Sequence, residues 1–431
     1  MDVINTYHNL RDSRQEWLGM IPNEWRLSRI GSLYTLRNTK VSDKDYPPLS
    51  VTMKGIVPQL ETAAKTDDGD NRKLVKVGDF AINSRSDRRG SCGISPYDGS
   101  VSLINTVLTP KDEMHPGYYN WLFHTVVFAD EFYKWGHGIV NDLWTTRWQE
   151  MKRIVVPVPP LPVQETISLF LDERCKKIDA IINEMRESAE EYRQWRSAVI
   201  LESVTKGLHK NVETRESFIE WMGEIPSHWR TTRFNKANWI RGRLGWKGLK
   251  ADEYVDYGYP FLSAFNIVDN YLVWEPLNFI TKERYDESPE IKLSVGDILL
   301  VKDGAGIGKC ARVDDLPLGK TTVNSSLAVI TPCKDVDYRY EHYYLQSPLF
   351  LNIVARLKNG MGVPHLTQEA MKEIRIPLPP LDEQREIADY LDKRIPEMNA
   401  VILEKESLIK DMELYKQSLI YETVTGKRKV V

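Results

Sequence analysis

The sequence predicts an α+β protein written twice: two mixed heads, each followed by a long helix, with a pseudo-two-fold internal repeat. Three observations carry that prediction. Glu16-Trp17-Leu18-Gly19-Met20-Ile21-Pro22, with Trp25, returns as Glu220-Trp221-Met222-Gly223-Glu224-Ile225-Pro226, with Trp229. Pro157-Val158-Pro159-Pro160-Leu161 followed by Gln164 returns as Pro377-Leu378-Pro379-Pro380-Leu381 followed by Gln384. Behind each proline motif lies a stretch with heptad periodicity. A unit of some two hundred residues is too long for a solenoid repeat of ~20–50 residues and reads as a duplicated module.

In the heads, residues 1–160 and 209–380, short β-rich runs alternate with Gly and Pro punctuation. Examples are Gly78-Asp79-Phe80-Ala81-Ile82 and Gly296-Asp297-Ile298-Leu299-Leu300. Helical stretches are expected near Tyr118–Phe132 and Tyr340–Leu357. The Trp17/Trp25 and Trp221/Trp229 pairs, spaced alike around Ile-Pro, read as core staples. The offset between copies grows through the early loops and is constant from the proline motif onward, so the front of the unit varies and the back does not.

The segments 161–208 and 381–431 read as long helices entered through stiff prolines. In the first, Leu171, Ile178, Met185, Tyr192 and Val199 recur every seven residues, with Cys175, Ile182 and Ala189 interleaved. In the second, Leu391, Met398, Met412 and Leu419 alternate with Ile395, Ile402 and Ile409. Such a seam needs a partner, and the other copy's helix is the expected one, giving a coiled coil. Lys405 interrupts the seam, and Pro396 is expected to kink or open its helix.

Composition narrows the function. The 42% hydrophobic content and 12 tryptophans indicate folded material. No apolar run approaches the ~20 residues of a membrane span, and no leader is read at Met1, so a soluble, cytoplasmic chain is expected. The four cysteines form no Cys-x-x-Cys pair; Cys92 and Cys310 occupy matching places and read as small core residues. The helical segments carry the net acidity, with 7 Lys+Arg against 9 Asp+Glu in 161–208 and 9 against 11 in 381–431. The heads are balanced, so any nucleic-acid binding rests on local clusters.

Catalytic motifs are missing. Asp303-Gly304-Ala305-Gly306-Ile307-Gly308-Lys309 lacks P-loop spacing and reads as a turn after a strand. The two proline motifs lack the Asn/Asp and the aromatic of an amino-methyltransferase, Glu290-Ile291-Lys292 is a chance fragment of a nuclease motif, and no histidines show metal-ligand spacing.

The repeat, the proline motifs, Glu383-Gln384, Ile387-Ala388 with Leu391-Asp392, and Gly296-Asp297-Ile298-Leu299 together resemble the specificity subunit of type I restriction–modification systems. The resemblance spans nearly the whole chain. It implies target-recognition domains at 1–160 and 209–380, and an antiparallel helical spacer made by 161–208 and 381–431. It implies a non-catalytic subunit reading a bipartite sequence in double-stranded DNA, with no membrane partner. Two methyltransferase (M) subunits using S-adenosylmethionine and restriction/translocase (R) subunits using ATP and Mg2+ would join it. Copy one departs from the motif, with Val163-Gln164-Glu165 where copy two has Glu383-Gln384-Arg385.

Base and phosphate contacts favour Arg, Lys and polar residues on loops. Three clusters recur in both copies. Arg37 and Lys40 match Arg241, Arg243 and Lys247 after the first strand. The turn with Arg85, Arg88 and Arg89 matches Lys302 to Lys309. The loop before the proline motif supplies Arg147 in one copy and Lys358 and His365 in the other. A self-contained DNA methyltransferase or nuclease, and a duplicated protein-binding adaptor, are the alternative readings.

Overall fold

The computed structural model describes residues 7–59, 69–85, 88–111, 114–138, 144–219, 221–243, 253–357 and 365–430. They form two compact units that cut across the linear order: Met1–Arg186 with Glu406–Val431, and Glu187–Lys405. The central helix, Leu161–Lys206, and the C-terminal helix, Leu381–Val424, each contribute to both. Each unit therefore holds one head, the start of the helix leaving that head, and the end of the other helix.

The first head is built on a four-stranded antiparallel sheet ordered Cys92–Ile94, Phe80–Asn83, Asn105–Pro110, Tyr34–Arg37. The second repeats it as Cys310–Arg312, Ile298–Val301, Leu327–Pro332, Asn238–Arg241. The heads differ in a smaller three-stranded sheet. In the first it is all antiparallel, Gly99–Val101, Arg72–Val75, Lys40–Val41. In the second, Tyr259–Leu262 lies between antiparallel Asn278–Ile280 and parallel Thr322–Val323. The drifting offset of the sequence falls on this smaller sheet.

Helices cover one face of each main sheet, and each stretch expected as one helix is two. Pro116–Phe123 breaks to Val126–Lys134, and Tyr338–Gln346 breaks to Pro348–Leu357. The breaks are matched. The Thr125 hydroxyl donates to the Leu122 carbonyl and accepts the Phe128 N–H; Ser347 does the same with Tyr344 and Phe350. A side-chain oxygen that caps the next helix competes with continuing the previous one.

The seams are buried or half-buried, and each unit pairs them antiparallel. In the first unit Leu171, Cys175, Ile178 and Ile182 share a core with Leu419 and Val424, with Ile409 and Met412 packed against it. Met185 is half-buried beside this stretch, and Lys416 Nζ sits 2.6 Å from Asp179 Oδ1. In the second unit Ile200 and Val204 share a core with Ile387, Leu391, Ile395 and Met398. Arg196 donates to Asn399 at 2.6 Å there. Ile402 is buried, and the seam-breaking Lys405 sits over the half-buried Tyr192 ring at 5.5 Å, a cation–π contact. Pro396 does not open its helix, which continues from Leu381 to Val424. Buried Ile395 and Met398 hold the helix on either side of the lost hydrogen bond.

The repeated motifs tie helix ends to heads. Buried Gln164 donates to the Pro159 carbonyl at 2.8 Å and accepts the His115 N–H at 2.9 Å. Buried Gln384 donates to Pro379 at 2.9 Å and accepts the Asp337 N–H at 2.8 Å. Each side chain stitches the start of a long helix to the start of a head helix. The Tyr118 hydroxyl donates to the Val424 carbonyl at 2.7 Å and Tyr340 to Val204 at 3.2 Å, which anchors the helix ends. Gly426 and Gly207 follow those ends at φ 73° and 74°, the left-handed stop that favours glycine. A Cβ at either would also press on Trp25 or Trp229. Trp17, Trp25 and Trp229 are buried as staples, but Trp221 is 58% exposed. Its own φ is 64°, and it lies under the Arg356 guanidinium 4.3 Å from the ring centre, so the turn presents it outward.

One matched site differs in chemistry. In the first head the buried rings of Tyr34 and Tyr119 meet edge to face at 6.3 Å. In the second, the same places hold Asn238 and Glu341, whose side chains hydrogen-bond each other. Glu341 is 1% exposed, and burial pushes its carboxyl up to about 8, against the lowering effect of the Asn238 amide. Glu341 Oε2 and Asn238 Oδ1 are both buried without a donor, which suits a neutral carboxyl and penalises a carboxylate. The folded pKa lies above the ordinary carboxyl value, so this group's stabilisation is complete at low pH and is lost as pH rises to about 8. Thermal denaturation should show the second unit melting lower at pH 9 than at pH 6, and Glu341→Gln should flatten that decline. An unchanged pH slope in the variant would contradict the assignment.

Candidate nucleic-acid interface

Arg37 and Arg241 end equivalent strands, and both turn inward. Arg37 Nε lies 2.6 Å from Asp79 Oδ2, and that carboxylate also accepts from the Thr109 hydroxyl at 3.0 Å and the Lys76 N–H at 2.9 Å. Arg241 lies 2.8 Å from Asp297, bonds Thr331, and reaches the carbonyls of Glu290 and Lys292 at 3.2 and 3.0 Å. An Arg–Asp–Thr triad thus joins three segments of each head in the same way. The matched arginines were legible in the sequence; their aspartate and threonine partners, Asp79/Thr109 and Asp297/Thr331, were not picked out. Asp79 and Asp297 lie in the matched Gly-Asp entries to the strands Phe80–Asn83 and Ile298–Val301, which gave no sign of these partners.

The other two clusters come together in each head. In the first, the Thr146 N–H donates to the Ser84 carbonyl at 2.9 Å, and Arg85 forms a single antiparallel bridge with Thr145. In the second, the Leu366 N–H donates to the Lys302 carbonyl at 2.8 Å, and Asp303 bridges His365. The glycine turn and the loop before the proline motif are therefore one surface. In the first head they line a cavity of about 360 Å³ with Lys73 and Arg147. The Lys73 ammonium donates to the Asn105 carbonyl at 2.6 Å, and burial lowers its pKa. In the second head the third cluster joins them, because Gly242, next to Arg241, lies against Gln368 and Lys302.

Their charges are placed differently. Lys40, Arg85, Arg88, Arg89, Arg147 and Lys309 are exposed. Arg89 pairs with Asp130 and lies 5.8 Å from the Tyr133 ring centre. Lys302 is paired with Asp303 at 2.7 Å, and the His365 ring pairs with the same carboxylate. Arg243 is half-buried, and burial, then neighbouring Arg284, lowers its pKa. Lys247 and Lys358 lie outside the described residues. The spacer residues Leu171, Ile178, Ile182, Met185, Tyr192, Leu391, Met398, Ile402, Ile409 and Met412 lie on the seams described above. Cys92 and Cys310 are buried, and burial pushes both thiols up, away from reactivity. Among the described residues no group of His, Cys, Asp and Glu could hold a metal ion. No described helix is long and apolar enough to cross a membrane.

Two like-built heads, each with a composite polar surface, and two long helices that each contribute to both units define a duplicated α+β module. Residues 245–407 match the family model for the type I restriction modification DNA specificity domain. The chain is 23% identical to the type I restriction enzyme MjaVIII specificity subunit of Methanocaldococcus jannaschii, over 95% of this chain and 94% of that one. It is also 23% identical to the putative MjaX specificity subunit of that organism over the full length of both. Its fold matches a solved chain from work on complex assembly and conformational transition of the type I R-M system. That match has TM-score 0.72 and 16% identity, over 94% of this chain and 99% of the other. The HsdS subunit from Thermoanaerobacter tengcongensis matches at TM-score 0.53 and 16% identity, over 94% and 98%. Residues 245–407 thus match the type I specificity domain, and the chain is similar to type I specificity subunits along nearly its whole length.

The triads give a direct test. Arg241 is 7% exposed and Arg37 is 23% exposed. Asp297→Ala should therefore cost about 3–5 kcal/mol, the penalty of a buried unpaired charge, and Asp79→Ala less, because Arg37 can reach water. Denaturant unfolding of both variants measures this. An equal or smaller loss at Asp297 would contradict it.

Proposed function

We propose that this chain is the non-catalytic DNA sequence-specificity subunit of a type I restriction–modification complex. It reads a bipartite duplex sequence, one half-site per head, and the paired helices set the gap. Two methyltransferase (M) subunits using S-adenosylmethionine, and ATP- and Mg2+-dependent restriction/translocase (R) subunits, act on the DNA it selects. The observation that carries this reading is the matched meeting of turn and loop in both heads, each on the same sheet. The same surface appears twice, with different residues on it. Exposed Lys40, Arg85, Arg88, Arg89, Arg147 and Lys309 suit phosphate contacts that position the duplex. Half-buried Lys302 and Arg243, and His365, lie at or beside the surfaces where turn and loop meet. The relatives' names, which describe specificity subunits of type I restriction enzymes, support the same conclusion.

Mapping methylated adenines by single-molecule sequencing, in cells expressing the chain with its methyltransferase subunits, tests it. A two-part motif is expected. Replacing 209–380 with a head of different specificity should change one half only, and adding one or two turns to both helices should lengthen the gap without altering the bases. Methylation that ignores the replacement, or a gap that ignores the insertions, would refute the reading.

A further inference from the structure

Among the described residues of the second head, Gln368 carries an amide that the fold leaves unused where the three segments meet. Arg241 is committed to Asp297 and Thr331, Lys302 to Asp303, and His365 to the same carboxylate. Lys309 is exposed, and its point charge suits a phosphate rather than a base edge. Gln368 differs from all of these. It is half-buried at the first position of helix Gln368–Glu373, which is capped by the Thr367 hydroxyl accepting the Ala370 N–H at 3.1 Å. Its amide has no hydrogen-bond partner among the described residues. It rests against the backbone of buried Gly242, where any Cβ would overlap the amide nitrogen. By contrast, Gln164 and Gln384 spend their amides wholly within the fold.

We propose that Gln368 is a base-reading residue of the second head and that Gly242 positions it. The proposal rests on the bipartite reading and specifies one residue of it. A planar amide offers a donor and an acceptor side by side, the pattern that pairs with N6 and N7 of adenine in the major groove. A base reader must be held by rigid backbone, yet its polar atoms must be left unpaired by the protein. The capped helix turn and the glycine floor supply the first condition, and the missing partners supply the second. The same place in the first head holds Trp148, which has no amide and packs against that head's core. The two heads thus present different chemistry at one matched position, as two different half-sites require.

The test uses the full chain with its methyltransferase subunits and maps methylated adenines for the unmutated chain, Gln368→Ala and Gly242→Ala. Gln368→Ala is expected to relax one A·T pair, within the half-site that changes when 209–380 are replaced. Discrimination there should fall about 5- to 150-fold, the range of one bidentate base contact, with the other half-site and the gap unchanged. Gly242→Ala keeps every other side chain and only displaces the amide, so it should relax the same pair even if the truncation fails to fold. An unaltered motif in both variants, or an even loss of methylation with no change in bases, overturns the assignment. An undivided motif for the unmutated chain contradicts the bipartite reading alone, because the two variants are still compared position by position within it.

Discussion

Everything in this fold depends on two apolar seams that cannot be left in water. Each long helix carries a stripe too narrow for a buried core helix and too apolar for a free one. The stripe of one is covered by the stripe of the other, running antiparallel. The start of the central helix therefore completes a core with the end of the C-terminal helix, and vice versa. Sequence neighbours end in different units, and residues more than two hundred positions apart share one core.

The repeated motifs are the fasteners that make the seams part of the heads. A buried glutamine fixes each helix start, a buried tyrosine hydroxyl fixes each helix end, and a left-handed glycine turns the chain beside a buried tryptophan. None of these groups can be exchanged singly without leaving a buried polar atom unpaired or a Cβ in tryptophan. That constraint explains why the back of the unit keeps constant register. The front is held differently. An Arg–Asp–Thr triad clamps the main sheet of each head, while the small sheet and the joined loops vary around it. In the second head, the Asn238–Glu341 pair even replaces a tyrosine pair without disturbing the sheet order. A rigid clamp beneath variable loops is what a recognition surface requires.

Much of this was legible in the sequence because the repeat displayed every local signal twice. The heptads, the proline entries and the α+β heads all follow from short-range patterns. Partners distant in sequence were not legible: nothing local links Arg37 to Asp79 or Gln384 to Asp337. The helix breaks at Thr125 and Ser347 had a local signal, a capping hydroxyl before an apolar run, but the surrounding helical residues masked it. Pro396 shows the converse. A local rule predicts an opened helix, and burial of the residues on either side overrides it. Trp221 differs from Trp17 through a left-handed backbone that its residue type gave no reason to expect. At the proposed recognition surface the sequence identified the segments. Which of their side chains are committed to the fold depends on contacts that only folding creates.

The central claim is that each head's core is closed by the far end of the other long helix. Hydrogen exchange on the full chain carrying Leu419→Ala tests it most directly, because Leu419 is buried in the first unit's core and lies far from that head in sequence. A core leucine truncation costs about 2–5 kcal/mol. The amides of Pro116–Phe123 and Phe80–Asn83 should lose protection, while those of Ile298–Val301 and Leu327–Pro332 keep theirs. Equal loss in both units, or unchanged exchange in the first head, would contradict the account.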